Sequence, residues 1–328
     1  MSKAADLSNQ LVHTAIHAHA SDIHFVPDRN KISIYFRCNG NRQYHTSLSC
    51  QQYMMILSYY KYIGNMDIGE SRKPQQGAIY LENHGQSYSL RLSILPTPTN
   101  ESLAIRILPQ QHTQDLPHLF LFPFQLQQIY QWLTYRSGLI LLTGATGTGK
   151  TTLLYALIKA YMEQKQYQTI TLEDPIEKRV ANILQLQIND KAGMTYDAGL
   201  KAALRHDPDI IMVGEIRDAP TAHFAFRAAS TGHLVLSTLH ARDAVGTIHR
   251  LEEMGVSSIE LEHNLLSVAS IQLLSLDTSN QHNKRRAIME FLDQEQIQQV
   301  LTRQPLSRQT SFQQLKRKAF AYGFTSHL

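Results

Sequence analysis

Eight residues at 144–151, reading GATGTGKT, have the types and spacing needed to hold a chain of phosphates. Glycines at 144, 147 and 149 permit a tight turn that points backbone N–H groups inward, toward anionic oxygens. Lys150 supplies a cation for the β- and γ-phosphates, and the Thr151 hydroxyl is suited to Mg²⁺. The string gains its meaning from context: the apolar run 139–143 precedes it and a helix-forming stretch beginning Thr152-Leu153-Leu154 follows. A helix N-terminus behind a glycine-rich turn is an anion site by construction. Gly144, Ala145, Thr146, Gly147, Thr148, Gly149, Lys150, Thr151 and Thr152 are therefore expected to bind a nucleoside triphosphate, ATP with Mg²⁺.

Three further segments end in polar residues where strands are expected to stop. The run 169–172 delivers Glu173-Asp174-Pro175-Ile176-Glu177, acidic where a metal triphosphate would sit. Segment 210–213 delivers Gly214-Glu215, with Arg217 and Asp218 beyond; a carboxylate there can hold the Mg²⁺ shell or polarise an attacking water. Segment 234–239 delivers His240. Each has a plainer alternative: a solvated turn for Glu173 and Asp174, a helix cap for Glu215, a backbone hydrogen bond for His240. Their convergence favours hydrolysis over binding alone.

These groups need a scaffold that brings strand ends together. Strands are expected at 139–143, 169–173, 210–213 and 234–238, alternating with helices at 150–163, 197–206, 221–230 and 243–253. Apolar strands between helices predict a parallel sheet covered on both faces, with ligands at the carboxyl ends of its strands. The front of the chain differs. Leu7, Leu11 and Ala15 recur at helical spacing; Tyr88, Leu90, Leu92 and Ile94 share one strand face, and Leu103, Ile105 and Ile107 another. The expectation is an α/β chain with an N-terminal α+β domain over 1–108, a proline-punctuated linker over 109–122, and a larger P-loop domain over 123–328, opened by a helix at 123–135.

Composition narrows the class. At 328 residues, 43% hydrophobic and 18% charged, the chain reads as an ordinary two-domain globular protein. No leader and no membrane-length apolar run is found, so a cytoplasmic location is expected. Two cysteines without CxxC pairing argue against disulfides and structural zinc. A net charge of +4 falls short of a dedicated nucleic-acid binder. His13, His17 and His19 read as a solvated helix face. The basic clusters 284–286 and 316–318 could meet anionic lipid, an acidic partner loop or DNA, or belong to plain surface.

The segments GATGTGKTT, TLEDPIE, LRHDPDIIMVGEIRD and TGHLVLSTLHARDA resemble, in order, the Walker A, Asp box, Walker B and His box motifs of the ATPases of the type II secretion and type IV pilus superfamily. The likeness continues through residues 20–25, 35–37, 74–77 and 95–97 in front, through 185–195, and to 323–326 at the end. It implies a RecA-like ATPase domain, a hexameric ring, and ATP held between the two domains of a subunit. It also implies that Lys150 and Thr151 bind phosphate and Mg²⁺, that Glu215 is the catalytic or metal-organising carboxylate, and that Glu173 and Glu177 form the acidic box. His233 and His240 belong to the histidine box, and Arg91 and Arg106 match arginines that contact the γ-phosphate.

Many members carry a four-cysteine zinc loop toward the C-terminus, whereas 273–290 here contains no cysteine, so no zinc is expected. The short, zinc-free form is most similar to the competence-pilus assembly ATPases of Gram-positive bacteria, with twitching retraction ATPases as the alternative. The resemblance implies a motor at the inner face of the cell membrane. Its domains would close and open about the linker, acting on a polytopic platform protein and through it on pilins, with no direct contact to nucleic acid. A non-hydrolysing scaffold and a DNA-translocating motor are the readings from other classes.

Overall fold

The computed structural model describes residues 3–38, 40–83, 85–110, 114–189, 193–276, 285–306 and 310–325. The chain forms two compact units, Met1–His112 and Thr113–Leu328. In the first, helix α1 (Lys3–His17) precedes β1 (Asp22–Pro27), β2 (Lys31–Cys38) and β3 (Asn41–Ser49). Helix α2 (Cys50–Ile63) then leads into β4 (Gln75–Asn83), β5 (Gln86–Pro96) and β6 (Glu101–Gln110). The strands pair antiparallel in the order β3-β2-β1-β6-β5-β4. Alternation decides which face is buried: Ile23, Phe25, Ile34, Leu90, Leu92 and Ile105 pack with Leu11 and Val12 of α1 and Tyr53, Ile56 and Tyr60 of α2. The start of α2 is fixed by a Ser49 and Gln52 capping box.

The second unit begins with α3 (Pro123–Trp132), β7 (Gly138–Thr143), α4 (Lys150–Gln164), β8 (Thr169–Glu173) and β9 (Leu184–Gln187). There follow α5 (Tyr196–Ala203), β10 (Ile210–Ile216), α6 (Ala219–Ser230), β11 (Leu234–Leu239), α7 (Ala244–Glu253) and α8 (Ser258–Asn264). It closes with β12 (Leu265–Ser275), β13 (Arg285–Leu292), α9 (Gln294–Leu301) and α10 (Phe312–Ala321). The strand order is β13-β12-β7-β11-β10-β8-β9, parallel throughout except for the β12–β13 pair. Successive residues of the central strands feed different cores. Leu139, Leu141, Ile211, Val213 and Val235 pack with α6 and α7, while Ile140, Leu142, Ile210, Met212 and Leu236 pack with α3 and α4. Burial on both faces is why these strands read as unbroken apolar runs.

Several boundaries differ from the sequence reading. Helix α3 stops at Trp132, because Thr134 turns back and donates its hydroxyl to the Gln131 carbonyl at 2.7 Å. Helix α5 ends at Ala203 and tightens into one 3₁₀ turn, Leu204–His206. The stretch read as a linker, 109–122, is largely built into neighbouring structure: Pro109 and Gln110 continue β6, while Leu116, Phe120 and Phe122 are buried in the second unit. Residues 111–113 lie outside the described residues, as do Lys284 of one basic cluster, 190–192, 277–283 and Ser326. No helix among the described residues is long and apolar enough to cross a membrane.

Candidate active site

The phosphate loop leaves the carboxyl end of β7, where Gly144, Gly147 and Gly149 have φ values of +138°, +81° and +94°. A side chain would strain each turn. Space is also short at Gly144, where an added Cβ would meet the Ile271 carbonyl oxygen at 2.7 Å. Gly144→Ala is therefore expected to displace the loop and weaken nucleotide binding at least about fivefold, given the ~1–3 kcal/mol cost of such strain, as read by titration with a fluorescent ATP analogue. Gly149 is also the N-cap of α4 and offers no side chain to bind its first amides, so these donors face the loop. Lys150 Nζ donates to the carbonyls of Gly144 and Ala145 at 2.8 and 3.0 Å. Burial holds its ammonium below the usual lysine range, while Glu215 and Glu177 pull the other way.

Glu215 owes its position to a break in the β10–β11 ladder between Val213 and Ile216. The carbonyls around that break are taken by side chains of β11: Ser237 Oγ donates to Val213 O at 2.7 Å and Thr238 Oγ1 to Gly214 O at 2.8 Å. With those acceptors satisfied, the backbone at Glu215 can leave the ladder at little cost. The following helix is capped by Asp218, which accepts from Thr221 N, so Glu215 is not its cap. Instead Glu215 Oε1 lies 3.1 Å from His240 Nε2, and its Oε2 accepts from Arg217 Nε at 3.0 Å. Arg217 Nη1 reaches on to Asp174 Oδ2 at 3.1 Å. One guanidinium thus ties the ends of β8 and β10 together.

Glu173 stands in the same wall with its carboxylate already engaged. It is 2% exposed and accepts from Tyr155 Oη at 2.5 Å, Thr171 Oγ1 at 2.6 Å and Gln185 Nε2 at 3.3 Å. Burial and then the Glu173 charge hold the Tyr155 phenol above the usual tyrosine range, which keeps it a neutral donor. Lys150, Thr151, Glu173, Glu177, Glu215 and His240 all line one cavity of ≈ 520 Å³. His233 does not join them. It precedes β11, about 23 Å from His240 at about 3.3 Å per strand residue, and its Nδ1 lies 3.0 Å from Thr231 Oγ1. Arg91 and Arg106 belong to the first unit, directly opposite one another on β5 and β6. Arg217, Tyr155 and Gln185 were not singled out as site residues from the sequence. Tyr196, whose phenol is pushed up to about 12 by burial and then by Asp174, also lines the cavity and was likewise missed.

A glycine loop on a helix N-terminus, faced by a strand-end carboxylate across a nucleotide-sized cavity, defines a P-loop nucleotide-binding protein. Comparison with known proteins sharpens the class. Residues 2–322 match the family described as Type II/IV secretion system protein, and the chain belongs to that family. It is 43% identical over 276 residues to Competence protein ComGA of Bacillus subtilis (strain 168), covering 84% of this chain and 78% of that one. A second Competence protein ComGA, from Halalkalibacterium halodurans, is 42% identical over 97% of this chain and 95% of its own. Among solved structures, the pilus retraction motor PilT with bound ADP superposes with a TM-score of 0.76 at 26% identity, over 97% of this chain and 94% of that one. The protein is a secretion or pilus ATPase with a mixed α/β fold.

Proposed function

We propose that this ATPase hydrolyses Mg·ATP to drive assembly of a competence pilus that takes up DNA. Its second unit is read as a RecA-like domain, with 1–108 and 123–328 as the bulk of the two domains and the passage between them lying within 109–122. The observation that carries the reading is Glu215, set free of the β10 ladder and lining one cavity with Lys150 and Thr151. The loop amides and Lys150 hold the triphosphate. Hard oxygen donors at Thr151 and Glu215 fit Mg²⁺, which supplies charge neutralisation on the phosphates when bound. Glu215 orients the attacking water and accepts its proton, with His240 and Arg217 fixing both carboxylate oxygens. Glu173, which lines the cavity, serves by anchoring Tyr155 and Gln185 at the end of β8, a supporting role beside Glu215.

Arg91 and Arg106 are proposed as γ-phosphate contacts, since guanidinium groups stabilise charge that spreads over phosphoryl oxygens. Six copies are proposed to form the working ring, bound at the inner face of the cell membrane to a platform protein that adds pilins. Identity of 42% over 97% of the chain to a competence protein, against 26% to the retraction motor, favours assembly over retraction. The test is genetic. Exchanging the chromosomal copy in the chain's own host for one carrying Lys150→Ala is expected to remove surface pili and transformability. Normal pili with normal transformation in that strain contradict the reading.

A further inference from the structure

The antiparallel register of the first unit aligns five side chains, one from each of five neighbouring strands. Arg42 of β3 stands opposite Arg37 of β2, Arg37 opposite Asp22 of β1, Asp22 opposite Arg106 of β6, and Arg106 opposite Arg91 of β5. Their sequence neighbours Ile23, Phe36, Leu92 and Ile105 are buried in the core, so the pleat sends the row to the other face of the sheet. Neighbouring strands stand about 4.8 Å apart. Like charges facing one another at that spacing are destabilising. A single carboxylate, Asp22, interrupts the row at its middle.

The way Asp22 engages the arginines is the informative part. Its Oδ1 accepts from Arg106 Nε at 2.9 Å; its Oδ2 accepts from Ser21 Oγ at 2.8 Å and lies 3.9 Å from Arg37 Nε. The Asp22 side chain is only 10% exposed, whereas that of Arg106 is 64% exposed. Asp22 holds Arg106 through Nε, the inner nitrogen, rather than through the Nη1 and Nη2 fork. That fork is the part that matches two oxygens of a phosphate. Arg37 is steadied separately, through Nη1 donating to Gly40 O at 2.8 Å.

We propose that Asp22 is a positioning residue for the phosphoryl-transfer reaction, holding the Arg106 guanidinium in the orientation that meets phosphate oxygens. The proposal rests on the reading above that Arg106 contacts the γ-phosphate. Asp22 touches no phosphate itself, because a carboxylate would repel one. Its contribution is to remove the rotational freedom Arg106 would otherwise lose in the transition state.

The experiment is a double-mutant cycle on the full chain, with phosphate release, affinity for a fluorescent ATP analogue and thermal unfolding measured for each protein. Asp22→Asn keeps shape and loses charge; it is expected to lower kcat about tenfold with the analogue's Kd within about threefold and no large change in Tm. Arg106→Ala is expected to lower kcat at least as far, and Asp22→Asn/Arg106→Ala to be no slower than Arg106→Ala alone. Asp22→Glu, which keeps the charge, is expected to restore part of the rate; should Asp22→Asn fail to fold, the cycle runs on Asp22→Glu and its double variant. Wild-type turnover in Asp22→Asn while Arg106→Ala is slow overturns the proposal, as do losses that multiply in the double variant. Wild-type turnover in Arg106→Ala removes the γ-phosphate reading itself, and this proposal with it.

Discussion

Glu215→Gln protein is expected to bind ATP about as well as the unaltered chain and to release phosphate at least about 100-fold more slowly, the contribution typical of a general base. Three features of the site lead to that separation. The amide keeps the size of the carboxylate, so the phosphate loop and Lys150 are untouched and nucleotide affinity survives. Gln can still accept from Arg217 through its oxygen, so the β8–β10 tie through Arg217 and Asp174 holds. What disappears is the carboxylate charge, and with it the acceptor for a proton from water. Phosphate release under saturating ATP, together with analogue binding, checks both halves. Equal turnover in the two proteins would remove Glu215 from the chemistry.

Lys150→Ala is the second large effect, and here binding itself should fail. Lys150 is 8% exposed, and among the described residues its ammonium donates to two loop carbonyls, Gly144 O and Ala145 O. Neutral acceptors satisfy a buried cation less well than phosphate oxygens do, so its partners are ready to be exchanged for a triphosphate. A charged hydrogen bond is worth about 1.5–3 kcal/mol, and contact with two phosphates about twice that, so affinity should fall by about two orders of magnitude or more. Calorimetric titration with a slowly hydrolysed ATP analogue measures this. Loss of turnover with affinity retained would mean that Lys150 does not touch the ground-state nucleotide.

The two variants probe the parts of the site that sequence reading reached most easily, and the reason is locality. The phosphate loop is eight contiguous residues whose glycines, lysine and threonine each have a backbone or charge requirement that can be stated without knowing any neighbour. The carboxylate and histidine at the ends of β10 and β11 were legible because unbroken apolar strands announce where they stop. Groups supplied by distant elements were not legible. Tyr155 lies on α4 and Gln185 on β9, yet both meet Glu173 at the end of β8, a convergence set by sheet order alone. Arg217 stood in plain view beside Glu215, but its reach to Asp174 requires that β8 and β10 be adjacent.

The fold shows the same division. Elements bounded by glycine, proline or a cap were found within a few residues of their ends. The C-terminal edge was not, because Leu265 is both the C-cap of α8 and the first residue of β12, and no turn separates helix from strand. Residues 109–122 looked like a linker because prolines and polar groups punctuate them. Yet the backbone at Phe120 bridges to Ala287, far along the chain. A register that aligns four arginines about Asp22 is likewise invisible until the strands are paired.

In a crystal structure with a non-hydrolysable ATP analogue and Mg²⁺, the triphosphate is expected to sit on the amides of 146–151, with Lys150 Nζ moved from Gly144 O to phosphate oxygens and Glu215 facing the terminal phosphate. An analogue bound elsewhere, with Lys150 still held by the loop carbonyls and the cavity beside Glu215 empty, would contradict this reading of the site.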